Sequence, residues 1–68
     1  MNERAKRLKE IVDYAERTSG GIKPGAICQL DSSVDLSGLG GEHTFINAER
    51  ISYVLFVSTD AAYLYRQK

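Results

Sequence analysis

The spacing of apolar positions divides the chain into one helical segment and several extended ones. Ala5, Leu8, Ile11, Val12 and Ala15 recur at intervals of three and four, the period that lines one helical face, and charged residues fill the opposite face. This pattern predicts an amphipathic helix over residues 2–18, with Asn2 as its N-cap. Glu3 with Arg7, Lys6 with Glu10, Lys9 with Asp13 and Asp13 with Arg17 stand four apart, and such pairs contribute about 0.2–0.5 kcal/mol each. Thr18-Ser19-Gly20-Gly21 supplies the stop, because glycine accepts the left-handed conformation past a last helical turn.

Beyond the helix the period changes to two. Ile22-Lys23-Pro24-Gly25 reads as a turn, and residues 26–31 as a short strand with Ala26, Cys28 and Leu30 on one face and Ile27 on the other. Residues 44–47 form a second short strand. Asn47-Ala48-Glu49-Arg50 follows as a turn or bulge, with Asn47 suited to the left-handed conformation. The longest extended run is 51–57. Ile51, Tyr53, Leu55 and Val57 point one way and Ser52, Val54 and Phe56 the other, so both faces are largely apolar and the strand is expected at the centre of a sheet. Ser58–Ala61 reads as a hairpin turn without the usual glycine, and residues 62–66 as a last strand with Tyr63 and Tyr65 on one face and Leu64 on the other. The connections are too short for crossover helices, so the strands run antiparallel. The expected fold is α+β, one domain over residues 1–68: an N-terminal amphipathic helix packed on a small antiparallel meander sheet of about four strands.

Residues 31–42, DSSVDLSGLGGE, resist regular structure, but Val34, Leu36 and Leu39 imply that the segment is docked. It has no lysine for a phosphate loop and does not match GxGxxG. Two readings stand: a long connection, or a recognition loop whose backbone N–H groups and serines hold a ligand or a partner. The crowding of Arg4, Lys6, Arg7 and Lys9 in the first half of the helix opposes the helix dipole, and reads either as a solvated face or as a small basic patch. The candidate contact residues for a partner or ligand are therefore Arg4, Arg7, Ser32, Ser33, Gly40, Gly41 and His43.

The stretch from Leu39 to Ile51, with Gly40-Gly41, Phe45, Asn47 and Ile51, followed by Asp60 to Leu64, resembles the small flagellar FlbD-type proteins. Residues 47–57 are also similar to the small DNA-binding RemA-type regulators through Ala48, Arg50 and Ile51. Either likeness covers under half of the chain, and those families do not open with a helix like that of residues 2–18. The resemblance implies paired strands around Asn47, and no function is carried over from it.

Charge and composition narrow the function. Nine basic and nine acidic residues balance, whereas a domain that grips a phosphate backbone usually carries a positive excess. One cysteine and one histidine exclude an intrachain disulfide and a four-ligand Cys/His zinc site. Cys28 reads as a small buried hydrophobe, and no base accompanies it. Asp31, Asp35, Glu42 and His43 show no spacing for acid–base or metal work, so no enzyme, cofactor or metal is expected. No apolar run has membrane-spanning length and no signal peptide is visible, which points to a soluble cytoplasmic protein. So short a chain, with a strand apolar on both faces, is expected to be a homo-oligomer, a dimer or higher, through Tyr53, Leu55, Val57, Tyr63 and Tyr65. The leading expectation is a non-catalytic binding module that inhibits, adapts or sequesters a protein partner or small ligand, as phage and accessory proteins of this size do. The alternative is a small nucleic-acid-binding regulator, using the basic helix half, Arg50, Arg66 and Lys68, with Tyr63 and Tyr65 stacking on bases.

Overall fold

Residues Glu3–Ser19 form α1 in the computed structural model, which describes residues 3–68; the expected cap at Asn2 lies outside them. The apolar stripe is the one the spacing predicts: Leu8, Ile11, Val12 and Ala15 are buried. Gly20 takes φ 77° just past the helix, and the N–H of Gly21 bonds the Glu16 carbonyl at 2.9 Å, the six-to-one closure of a Schellman cap. Of the four expected helical ion pairs, Lys9–Asp13 forms at 2.8 Å; Arg7 turns instead to the 31–40 loop, and Arg17 lies over the Tyr14 ring, 5.9 Å from its centroid.

Lys23-Pro24-Gly25-Ala26 closes with Ala26 N–H on the Lys23 carbonyl at 2.9 Å, and Gly25 at φ 83° occupies the position of a type II turn that glycine favours. The strands follow as β1 (Ile27–Gln29), β2 (Gly41–Ile46), β3 (Ser52–Val57) and β4 (Ala62–Arg66). All pairings are antiparallel and the sheet order is β1-β4-β3-β2. Thus β2, β3 and β4 run as a meander with β3 and β4 at the centre, and β1 lies on the outer side of β4. β2 begins at Gly41, earlier than the sequence pattern implies, so His43 sits within a strand rather than before one.

Register fixes two faces. On the helix side, Cys28, Leu64, Leu55 and His43 form one row across the four strands, and Tyr53 lies between Arg66 and Phe45 in the next. Leu64, Leu55 and Tyr53, with Cys28 and Phe45 packed beside them, meet the helix stripe together with Ile22, Leu30, Leu39 and Ala62 in a single core. Full burial of Leu8, Leu55 and Leu64 contributes about 1.5–3 kcal/mol each. The 31–40 loop crosses between the two sheet edges on this same side. Leu39 is buried there and Val34 and Leu36 pack against the core, so loop and helix share the cover.

The opposite face carries Ile27, Tyr65, Val54 and Thr44 in one row and Gln29, Tyr63, Phe56 and Glu42 in the next. This corrects the expected grouping of the tyrosines. Val57 pairs with Ala62 across the Ser58–Ala61 turn, which places Leu64, not Tyr63 or Tyr65, on the side of Tyr53 and Leu55. Tyr53 and Leu55, expected at an oligomer interface, are 1% and 2% exposed beneath the chain's own helix, and Val57 packs against the same core. Tyr53 and Leu55 are thus not surface residues, and Val57 is partly buried on the helix side.

Candidate functional site

The expected contact residues fall into two groups. Arg4, Arg7 and His43 are brought together where the first half of α1 passes the loop and β2. The Arg4 guanidinium donates to His43 Nδ1 from Nε at 3.2 Å and lies 3.0 Å away through Nη2. With Nδ1 accepting, the ring proton resides on Nε2, which donates to the Leu39 carbonyl at 3.0 Å. Arg7 donates to the Ser37 carbonyl at 2.6 Å and to the Asp35 carbonyl at 3.0 Å. One imidazole nitrogen and two carbonyls thus engage the two arginines, and the contacts latch the loop to the helix.

Ser33 belongs to a second cluster. Asp31 Oδ1 accepts the Ser33 N–H at 3.0 Å and its hydroxyl at 2.5 Å, while Tyr14 donates to Asp31 Oδ2 at 3.0 Å and lies 2.9 Å from Ser33 Oγ. Asp35 repeats the arrangement with the N–H and hydroxyl of Ser37, at 3.1 and 2.8 Å. The sequence Asp-x-Ser therefore occurs twice, four residues apart, each copy folding into a carboxylate-capped turn. The Ser33 hydroxyl, then Tyr14, hold the Asp31 carboxyl below its ordinary value; the Ser37 N–H, then its hydroxyl, do the same for Asp35. Ser32 is exposed beside this cluster. Between the cluster and the helix lies an open hollow of about 340 Å³ bordered by Arg7, Glu10, Tyr14, Arg17, Ser33 and Asp35.

Gly40 and Gly41 differ from one another. Gly41 adopts φ 96°, a conformation that side chains strain, whereas Gly40 has an ordinary φ and open space where a Cβ would stand. Gly41 starts β2 opposite Val57 and is required by the backbone. Cys28 is half-buried against the core, its Sγ 3.8 Å from the Gln29 carbonyl. Among the described residues no three of His, Cys, Asp and Glu converge as metal ligands would.

A third polar cluster lies beneath the end of the helix. Glu16 Oε2 accepts from Tyr53 Oη at 2.5 Å, and its Oε1 accepts the Ile22 N–H at 2.7 Å. Arg66 Nη1 donates to the Ile22 carbonyl at 2.7 Å, so the single peptide segment at Ile22 is held from both sides. Burial, then the Glu16 carboxylate, push the Tyr53 phenol up to about 12.

The surface with unmet contact capacity is the sheet face away from the helix. Ile27 is 65% exposed, Ile46 64%, Phe56 42% and Tyr63 41%, all on that side. Phe56 and Tyr63 are directly opposed neighbours on β3 and β4, and Val54, facing Tyr65, is buried at the centre. Of the ten strand positions on this face, Glu42 is the one charged residue. Sequence reasoning named Tyr63 and Tyr65 but missed Ile27, Ile46 and Phe56. The signal was the turn at 58–61, whose two-residue closure sets the parity of β4 against β3.

No protein-family model, no curated protein and no solved structure matches the chain. No helix among the described residues is long and apolar enough to cross a membrane.

Proposed function

We propose that this chain is a non-catalytic binding module that holds a protein through the open face of its sheet, acting as an adaptor, inhibitor or sequestering protein. The observation that carries this reading is the apolar surface of Ile27, Ile46, Phe56 and Tyr63, left uncovered by the helix and the loop. The polar groups support it from the other side. Both nitrogens of His43 are occupied, Asp31 and Asp35 are engaged by their own serines, and the arginines of the helix serve the loop. Among the described residues no nucleophile, base and orienting group stand in sequence, as nucleophilic or acid–base catalysis requires.

Nucleic-acid binding takes second place. Exposed aromatic side chains on an antiparallel sheet are a stacking platform for single strands, and Phe56 and Tyr63, with the half-buried Tyr65 beside them, provide one. Such platforms are lined by cations for the phosphates, and this face has no lysine or arginine at its strand positions.

A photo-reactive phenylalanine analogue installed at Phe56, with Lys6 on the exposed helix face as control, tests the reading in the native host. Protein adducts at position 56 and none at position 6 are expected. Absence of any protein adduct at position 56 removes the reading, and oligonucleotide binding at low salt that fades at high salt replaces it with the second.

A further inference from the structure

The open face fits one occupant in particular. We infer that a second copy of this chain covers it whenever no other protein is bound there, giving a two-fold dimer in which the sheets pack face to face; this rests on the reading of that face as a protein-binding surface.

Size is the first argument. The four strands lie about 4.8 Å apart and hold three, six, six and five residues at about 3.3 Å each, so the face covers roughly 320 Å² in projection. With side-chain relief, pairing two such faces removes roughly 1,000 Å² from water, the level a well-fitted specific interface has to clear. The centre is the part that carries energy in such interfaces, and here it holds Val54, Phe56, Tyr63 and Tyr65, three aromatics around one aliphatic residue. Aligned sheets pack about 10 Å apart with their side chains interleaved, and residues of this size fill that gap.

The polar residues are the second argument. A two-fold axis parallel to the strands lays β1 of one protomer over β2 of its partner. The row Ile27-Tyr65-Val54-Thr44 then meets itself reversed, so that Ile27 packs over Thr44. The row Gln29-Tyr63-Phe56-Glu42 does the same and sets the Gln29 amide against the Glu42 carboxylate. The one charge on the face thereby gains a hydrogen-bond donor from the partner, twice per dimer, and no like charges meet. The same symmetry brings Phe56 over Tyr63 at the axis, the offset aromatic contact that such rings favour. The basic half of the helix, the loop and its latch remain on the outer surfaces of the pair, free of this contact.

Sedimentation velocity over a concentration series on the whole chain, with circular dichroism on every sample, tests the inference. Wild type is expected at twice the monomer mass at tens of micromolar. F56E and Y63E alter side chains that are already 42% and 41% exposed, so the fold tolerates them, and each is expected to weaken dimerisation by about 100-fold or more. I27K, at the rim, keeps the fold and is expected to weaken it about tenfold. A wild-type monomer with full native signal overturns the second copy as occupant; the photo-adducts at position 56 then decide separately whether the face binds a different protein. A dimer that persists in F56E, Y63E and I27K alike overturns this face as its seat.

Discussion

Tyr53 Oη donates to Glu16 Oε2 at 2.5 Å, joining the centre of the sheet to the end of the helix through one hydrogen bond. Glu16 also receives the Ile22 N–H, and Arg66 holds the Ile22 carbonyl, so helix, linker and two central strands meet at a single carboxylate and a single guanidinium. Tyr53 is 1% exposed, and a phenol at that depth needs an acceptor.

Y53F is therefore expected to cost about 1.5–3 kcal/mol, the range for a hydrogen bond to a charged group, and E16A more, because it also strands the Ile22 N–H. Urea denaturation with a shared slope measures both. A Y53F midpoint equal to wild type would show that the bond contributes nothing.

The same contact sets an alkaline limit. The Tyr53 phenol is pushed from 10 up to about 12, so the folded state favours its neutral form. Its contribution is complete below pH 10 and is lost as pH rises through about 12. Thermal melts between pH 9 and 12 should show wild type losing stability more steeply than Y53F, and parallel curves would remove this role for Tyr53.

The loop latch has its own signature. R7A removes the donors to the Asp35 and Ser37 carbonyls and is expected to destabilise by about 1–2 kcal/mol while the helix and sheet signals stay unchanged. Hydrogen exchange should quicken over residues 34–39 and not in β3. Because the Asp31 and Asp35 carboxyls are held below 3.8, their support is complete above that value and fades as pH falls through the lower folded values, loosening the loop in acid.

The hairpin between β2 and β3 holds an improvable position. Asn47 N–H bonds the Ile51 carbonyl, Arg50 N–H bonds the Asn47 carbonyl, and Arg50 takes φ 65°, so the three-residue loop ends in the left-handed position that glycine usually fills. R50G is expected to gain about 0.5–1 kcal/mol. N47A should lose about 1–2 kcal/mol, because Asn47 Oδ1 accepts the N–H groups of Glu49 and Ile51, both at 2.9 Å. Differential scanning calorimetry of the two variants should show melting points displaced in opposite directions.

The two adjacent glycines separate backbone need from open space. G41A is expected to destabilise by about 1 kcal/mol or more, and G40A to stay within about 0.5 kcal/mol of wild type. Equal losses at both positions would mean that the 38–41 segment is held by something other than the φ of Gly41.

The sequence disclosed what depends on period and on turn chemistry. The stripe Leu8-Ile11-Val12-Ala15, the stop at Gly20, the Pro24-Gly25 turn and the two-faced strand around Leu55 each follow from a local rule, and each stands where that rule places it. What escaped depends on pairing at a distance. Tyr63 and Tyr65 look equivalent to Tyr53 along the chain, and the Val57–Ala62 register alone divides them between opposite faces. At the hairpin the left-handed residue is Arg50 and not Asn47, because Asn47 serves through its side chain as an acceptor while the chain reverses three residues later. Arg7, spaced for an ion pair with Glu3, finds better acceptors in two loop carbonyls that no local pattern announces.

The strand order has a consequence for synthesis. β1 pairs with nothing but β4, and Ile27 lies opposite Tyr65, 38 residues later by subtraction of the two positions. At about 5–20 residues per second, the ribosome makes β1 roughly 2–8 s before its partner exists. During that interval the apolar stripe of α1 has no completed sheet to rest on. The sheet that buries this stripe is complete only with the last strand, so the native core of this protein can close only once translation has passed β4.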